Sequence, residues 1–269
     1  MFKNPYFDTL NKDNTAKVYP VKEVENAPKT EIVKGFTSII IPVFFNSYPV
    51  FHYTGHCIGS VREHTDKSKT PYEIIMVQNG ENGVEHFEEQ TFKNTYCDKV
   101  IPNKVNLGYS KAVNQAIRCA QGEYIAIINS DVCVYEHWLE DMQEALSYVD
   151  LVMAQPMYGM PFARAVESAD FRKETLGKPV EECLDTFRDF SCVLTKKEVF
   201  GRVGLFNEEF FLYGEDLDLM RRIEKSGGKI ASTKRVRTFH IIGGTTSGMD
   251  ETSKIMDESK IKLKEIWGY

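Results

Sequence analysis

Apolar residues along the chain gather in short unbroken runs, and between the runs they recur at helical spacing. The first runs are Thr37-Ser38-Ile39-Ile40-Ile41-Pro42-Val43, Tyr72-Glu73-Ile74-Ile75-Met76-Val77 and a shorter one at 98–101. Continuous β-branched stretches of this length predict strands covered on both faces. The most telling run is 124–129, where five of six positions are apolar or aromatic before the chain breaks abruptly into Asn129-Ser130-Asp131. Further strands are predicted at 151–154, 187–195 and 235–239. Helical spacing predicts helices from Asn46-Ser47 to about residue 62, and over 111–119, 136–148 and 196–200. Another starts from an aromatic turn at 207–213 and ends near Gly227-Gly228, where glycine takes the left-handed cap conformation. The helix at 136–148 carries Trp138, Leu139, Met142, Leu146 and Val149 on one face.

Alternation of strand and helix predicts an α/β domain with a doubly wound, Rossmann-like and mostly parallel sheet and helices on both faces, because parallel neighbours need crossovers of this length. Ligands bind such sheets beyond the carboxyl ends of the strands. That singles out Gln78-Asn79-Gly80 and Asn129-Ser130-Asp131. Residues 155–179 lose all period, with Pro156, Gly159, Pro161, Gly177 and Pro179, and are expected to form an irregular segment where a second substrate enters. The expected organisation is a polar extension at 1–35 packed irregularly on the main domain, that domain at 36–245, and an amphipathic helix at 246–269. The last helix places Ile255, Met256, Leu263, Ile266 and Trp267 on one face, with lysines at 254, 260, 262 and 264. Docking on the domain is the default, and a homo-oligomer contact or a peripheral membrane contact are the alternatives.

Composition narrows the function classes. With 269 residues, 42% hydrophobic, the chain can bury an ample core. A net charge of -6 argues against a general nucleic-acid binder or a polybasic membrane surface, so an anionic substrate would need a local device such as a metal or a helix amino end. Six cysteines without CxxC or zinc spacing predict reduced core thiols and a cytoplasmic location. The longest apolar run, 39–45, is interrupted by Pro42 and too short to span a bilayer, and the amino terminus lacks a signal-peptide core.

Two clusters carry candidate chemistry. Asp131, just past a buried strand, either caps the helix predicted near Glu136 or holds a divalent cation through oxygen. Glu215, Asp216 and Asp218 crowd three carboxylates into a helix amino end, where the dipole favours their charge and mutual repulsion opposes it. Asp216 and Asp218 lie about 200° apart around a helix and cannot serve one role, which leaves Asp218 to pair with Arg221 or Arg222. By themselves His240 reads as a hydrogen-bonded strand end, Asn106 and Asn114 as turn and helix-surface residues, and Gly108 as a tight turn. Phe210, Phe211 and Tyr213 read as core and pocket wall.

Five blocks in order, Pro42-Val43-Phe44-Phe45-Asn46, Val77-Gln78-Asn79-Gly80, Asn106-Leu107-Gly108-Tyr109-Ser110-Lys111-Ala112-Val113-Asn114, Asn129-Ser130-Asp131 and Gly214-Glu215-Asp216-Leu217-Asp218-Leu219, resemble the inverting GT-A glycosyltransferases of family 2. The likeness is strongest to bacterial rhamnosyltransferase-like members and runs from about Thr37 to His240. It implies a GT-A fold and hexosyl or deoxyhexosyl transfer from a nucleoside-diphosphate sugar to a hydroxyl of a cell-surface glycan or glycoconjugate. It also implies a divalent metal, Mn or Mg. Asn129-Ser130-Asp131 stands at the family's DxD position, so Asp131 would hold the metal, with His240 completing its site. Pro42, Phe44, Asn79, Asn106, Gly108, Lys111, Asn114, Asn129 and Ser130 would hold the donor. Asp216 matches the general base, with Glu215 beside it in the Glu-Asp pair. Gln78 replaces an aspartate that contacts the base in many members, which leaves the nucleotide open. Two alternatives stand beside this: a catalytically silent sugar-nucleotide binding module, and a nucleotidyltransferase, for which the Gly-rich basic loop after the first strand is missing.

Overall fold

The structure is a computed structural model that describes residues 17–18, 31–81, 97–157, 161–241 and 251–268. Its strands are β1 (Lys17–Val18), β2 (Val33–Phe45), β3 (Tyr72–Glu81), β4 (Lys99–Asn103), β5 (Gly122–Ile128), β6 (Val132–Cys133), β7 (Leu151–Met157), β8 (Leu184–Asp185), β9 (Cys192–Lys196) and β10 (Ile230–His240). They form one sheet in the order β1-β4-β3-β2-β5-β9-β7-β10-β6, with β8 also paired to β10. The five strands from β1 to β5 in that order are mutually parallel, as are β7 and β10. Antiparallel β9 lies between β5 and β7. The sheet is therefore mostly parallel, as the crossovers predict.

The helices are α1 (Tyr48–His64), α2 (Tyr109–Cys119), α3 (Trp138–Ala145), α4 (Pro161–Thr175), α5 (Lys197–Val203), α6 (Glu215–Lys225) and α7 (Thr252–Trp267). Side chains of the central strands alternate between two cores. Ile39, Ile41, Ile74, Met76, Ala126 and Ile128 join the core under α1 and α3, while Ile40, Ile75, Val77, Ile125 and Ile127 join the one under α2, α5 and α6. This period of two on doubly covered strands explains why the sequence reads as unbroken apolar runs. Glu73, a buried acid near the start of β3, is matched by Lys99 of β4 at 2.7 Å and accepts the Ser38 hydroxyl, also at 2.7 Å. A buried charge with such partners is tolerated.

Several sequence expectations need correction. The stretch 155–179 is not irregular: β7 continues to Met157, α4 fills 161–175, and only residues 158–160 lie outside the described residues. Pro161 occupies the first helical position, where its missing N–H costs nothing. On α4 the positions turned inward include Ser168, Arg172 and Thr175, so the helical stripe is there but is largely polar. Ser168 bonds the Arg237 carbonyl, and Arg172 forms two hydrogen bonds with Asp141. The strand expected at 187–195 begins only at Cys192, because Asp189 accepts the Ser191 N–H at 2.9 Å and turns the chain there. The helix expected at 136–148 is shorter, since His137 takes a left-handed φ of 65°. Within 1–35, β1 adds a parallel strand beside β4 and β2 starts at Val33; residues 1–16 and 19–30 lie outside the described residues. The glycine-threonine loop at 243–246 also lies outside them.

The tail helix docks as its default reading expected, through Ile255, Leu263 and Trp267 of the expected face together with Ser259. On α7 Ser259 and Leu263 are buried, whereas Met256 and Ile266 are exposed. The Ser259 hydroxyl donates to the Leu212 carbonyl at 2.9 Å, the Trp267 indole N–H to Asp218 Oδ1 at 3.1 Å, and Lys262 pairs with Glu209 at 3.1 Å. The six cysteines are all free, five of them buried. No described helix is long and apolar enough to cross a membrane.

Candidate active site

The site starts at the carboxyl end of β5. Asn129 N–H donates to the Ser191 carbonyl at 2.8 Å, and the turn closes when Val132 N–H reaches the Asn129 carbonyl at 3.1 Å. Short β6 then pairs antiparallel with the end of β10, in a register that sets His240 opposite Val132. The Ile241 N–H bonds the Asp131 carbonyl at 3.1 Å. This ladder places the His240 imidazole Nε2 3.5 Å from Asp131 Oδ1. Asp131 is 5% exposed and its Oδ1 accepts no hydrogen bond of ordinary length. It caps no helix, since α3 starts from His137. Burial pulls the His240 pKa down, but Asp131, and after it Asp189, outweigh burial and raise it.

Opposite stands the amino end of α6. Tyr213 and Gly214 both have left-handed φ, 66° and 88°, so the chain turns sharply just before Glu215. Glycine takes this conformation freely, whereas a tyrosine held there stores strain. Asp216 Oδ1 accepts the Leu217 N–H at 2.8 Å. Glu215 is 7% exposed, its Oε2 has no partner, and burial first and Asp216 second push its pKa up to about 8. Burial raises Asp216 as well, against the pull of the Leu217 N–H. Asp218 points away, with Oδ2 on Arg222 Nε at 2.9 Å and Oδ1 on Trp267. That is the structural pairing expected for it, with Arg222 as the partner.

Both ends open on one cavity of about 500 Å³. Of the residues expected at the site, Pro42, Asn129, Ser130, Asp131, Glu215, Asp216 and His240 line it. The others do not. Asn79 spends its side chain on the loop before α2: Nδ2 donates to Asn106 Oδ1 at 2.9 Å and to the Gly108 carbonyl at 3.0 Å, while Oδ1 accepts from Leu107 N–H and Asn103. Asn106 Oδ1 also takes the Gly108 N–H. Asn114 is buried and ties α2 to the turn at 206–208, donating to the Phe206 carbonyl and Glu208 and accepting the Phe206 N–H. Lys111 is exposed and Phe44 half-buried, and Gln78 is buried in β3.

Gly108 matters through its backbone. With φ at +84°, a Cβ there would stand 2.6 Å from the Phe211 carbonyl oxygen. Its absence lets Tyr109 N–H reach that oxygen at 2.6 Å and carries the Tyr109 side chain to the cavity wall. The Tyr109 hydroxyl is buried without a hydrogen-bond partner, and burial, then Glu215, Asp216 and Asp131, raise its pKa well above the ordinary value. Tyr109, Asp189 and Ser191 line the cavity unforeseen by the sequence reading, whereas Tyr213 is pocket wall and Phe210 core as expected. The spacing Asp189-x-Ser191, typical of a turn closed by an Asp side chain, was the available signal.

Glu215 makes stability depend on pH. Its folded value near 8 exceeds the ordinary 4.5, so between these values the folded chain keeps a proton the unfolded chain has released. The contribution is complete below about 4.5 and lost as pH rises through about 8. The expected result is a Tm that falls from about pH 5 to 8, with a shallower slope in Glu215→Gln; identical slopes in thermal melts of the two proteins would remove this role.

A mostly parallel central sheet with helices on both faces is the GT-A fold, and solved structures agree on it. GalNAc-T7, in a structure with UDP, GalNAc and Mn2+, aligns with a TM-score of 0.63 at 14% identity over 86% of this chain and 48% of that one. Staphylococcus aureus TarS 1-349 in complex with UDP-GlcNAc gives 0.54 at 15% identity over 85% and 66%. This chain thus spans about half of the GalNAc-T7 chain. Residues 38–204 match glycosyl transferase family 2; the chain belongs to that family and is a glycosyltransferase. Among curated relatives, the N-acetylglucosaminyl-diphospho-decaprenol L-rhamnosyltransferase of Mycobacterium tuberculosis is 25% identical over 82% of each chain. The family match ends before α6 and β10, which supply Glu215, Asp216 and His240.

Proposed function

We propose that this enzyme moves a sugar from a nucleoside-diphosphate sugar to a hydroxyl of a glycan or glycoconjugate, with inversion, using a divalent cation held at Asp131 and His240. The observation that carries the reading is that the Asp131–His240 pair and the Glu215–Asp216 pair face one cavity. GalNAc-T7 binds UDP and Mn2+ on this fold, and TarS binds UDP-GlcNAc. Among the described residues no three His, Cys, Asp or Glu side chains cluster to hold a metal by themselves. Asp131 and His240 would hold the cation, and the buried Asp131 Oδ1, without a hydrogen bond of ordinary length, is an oxygen donor of the kind Mg or Mn takes. The cation, when bound, offsets charge on the departing diphosphate.

The chain's own groups do the rest. Asp216 takes the acceptor hydroxyl proton as the acceptor oxygen bonds the anomeric carbon and the carbon–oxygen bond to the diphosphate breaks, its electron pair leaving with phosphate. Attack from the face opposite the leaving group inverts that carbon. Burial raises Asp216 and so makes it a stronger base nearer neutral pH. Asn129 and Ser130 line the donor end beside Asp131. Both acids of the Glu-Asp pair line the cavity, which favours turnover over a silent binding module. Six free thiols support a cytoplasmic setting.

A thermal-shift panel of UDP-, GDP-, dTDP- and CMP-sugars, each with and without Mn2+, tests the donor half. One nucleotide class is expected to raise Tm, and more so with Mn2+, because a ligand that binds only the folded state stabilises it. Equal melting in every well would sink the reading.

A further inference from the structure

We infer that the acceptor group entering this cavity is an uncharged sugar, held at Tyr109, Asp189 and Glu215, and that uronate and phosphorylated acceptors are turned away. The inference rests on the cavity being the transfer site. Among the described residues its lining holds Asp189, Glu215 and Asp216 in addition to Asp131, and neither lysine nor arginine. His240, the one group in that lining able to carry a positive charge, faces Asp131.

Acidity alone would describe a solvated patch, but two groups here lack partners. Glu215 is 7% exposed and its Oε2 makes no hydrogen bond; the Tyr109 hydroxyl is buried and makes none either. Buried polar atoms are normally satisfied, so these two leave hydrogen-bonding capacity unused in the cavity wall. A vicinal pair of sugar hydroxyls suits them, because each hydroxyl both donates and accepts. Asp189 is held ready beside them, since its Oδ1 takes both the N–H and the hydroxyl of Ser191. It lines the same cavity as Asp216 and His240. Phe190 and Tyr213 add aromatic wall. Such rings pack against the apolar face of a pyranose and add no charge.

A carboxylate or phosphate on the acceptor would meet the carboxylates of Asp189 and Asp216 with no Lys or Arg among the described lining residues to offset them, the proposed cation at Asp131 being engaged by the donor diphosphate. One like charge several ångströms away in a partly buried site changes affinity by about tenfold or more. Neutral sugars carry no such penalty.

The test is saturation-transfer NMR and titration with methyl glucoside, methyl galactoside and methyl N-acetylglucosaminide, each beside its uronate or 6-phosphate counterpart. At least one neutral glycoside is expected to bind, at least about tenfold tighter than its charged counterpart. Asp189→Asn is expected to narrow that gap to about threefold or less, and Tyr109→Phe to weaken the neutral glycoside. Asp216→Asn serves the charge test should Asp189→Asn fail to fold. A charged glycoside binding as well as its neutral counterpart, no neutral binding at all, or a gap unmoved by the Asn variants would overturn the inference. A donor-induced thermal shift alongside any of these results leaves the donor reading intact, and glycoside selectivity without a donor shift overturns the donor reading alone.

Discussion

Asp216→Asn is expected to lower turnover by about two to four orders of magnitude, the span attributable to a positioned general base, while donor affinity stays within about twofold. The substitution is close to isosteric. Asn keeps a side-chain oxygen for the Leu217 N–H that Asp216 Oδ1 now accepts, so the first turn of α6 survives. What disappears is the group that receives the acceptor-hydroxyl proton. Glu215 does not substitute for it: burial, the larger cause of its raised pKa, persists in the variant and favours the protonated acid. A variant with more than about half the parent rate at saturating donor would show that the proton goes elsewhere. Because the two acids titrate as a pair, the parent pH–rate profile should rise through apparent values that belong to both.

Asp131→Ala is expected to abolish the Mn2+-dependent part of donor binding. At a donor concentration about 100 times Kd, binding stabilises the folded state by about 2.7 kcal/mol, several degrees in Tm for a domain of this size. Asp131 supplies the carboxylate for the cation, and His240 alone is a single neutral ligand. The variant also takes away the charge that raises His240, so the imidazole returns toward its burial-lowered value. An Mn2+-dependent donor shift as large in Asp131→Ala as in the parent would exclude this carboxylate as the ligand.

Much of this was legible because strand ends are written plainly. Ile125, Ile127 and Ile128 are fully buried, and the polar break after them marks the sheet edge where the chemistry lies. The carboxylates of α6 stood out by crowding, and the exclusion of Asp218 followed from helix geometry alone. Other features depend on partners far off in sequence. Asn79 and Asn114 belong to donor-binding blocks by resemblance, yet their amides are taken up by groups 27–29 and 92–94 residues away. No local pattern reports that saturation. α4 escaped notice because polar residues occupy much of the inward stripe over 168–175, and the strand expected at 187–195 was found as β9, whose antiparallel direction leaves no mark on its composition. Tyr109 lay inside a recognised block, but only the close approach permitted at Gly108 turns it into cavity wall.

α6 and β10 are consecutive, joined by the turn at Gly227-Gly228, so one connection carries the acids at the start of α6 and the imidazole at the end of β10. Asp150 holds the Lys229 N–H at 2.9 Å and pairs with Arg202, and a Cβ on Gly228 would stand 2.8 Å from Ile223 Cγ2 and 3.0 Å from Asp150 Oδ2. A side chain at 228 would therefore push on Ile223 of α6 and on the Asp150 carboxylate that holds the Lys229 N–H. The turn is thus packed tightly enough that only glycine fits at 228, and it sets where α6 ends and β10 begins.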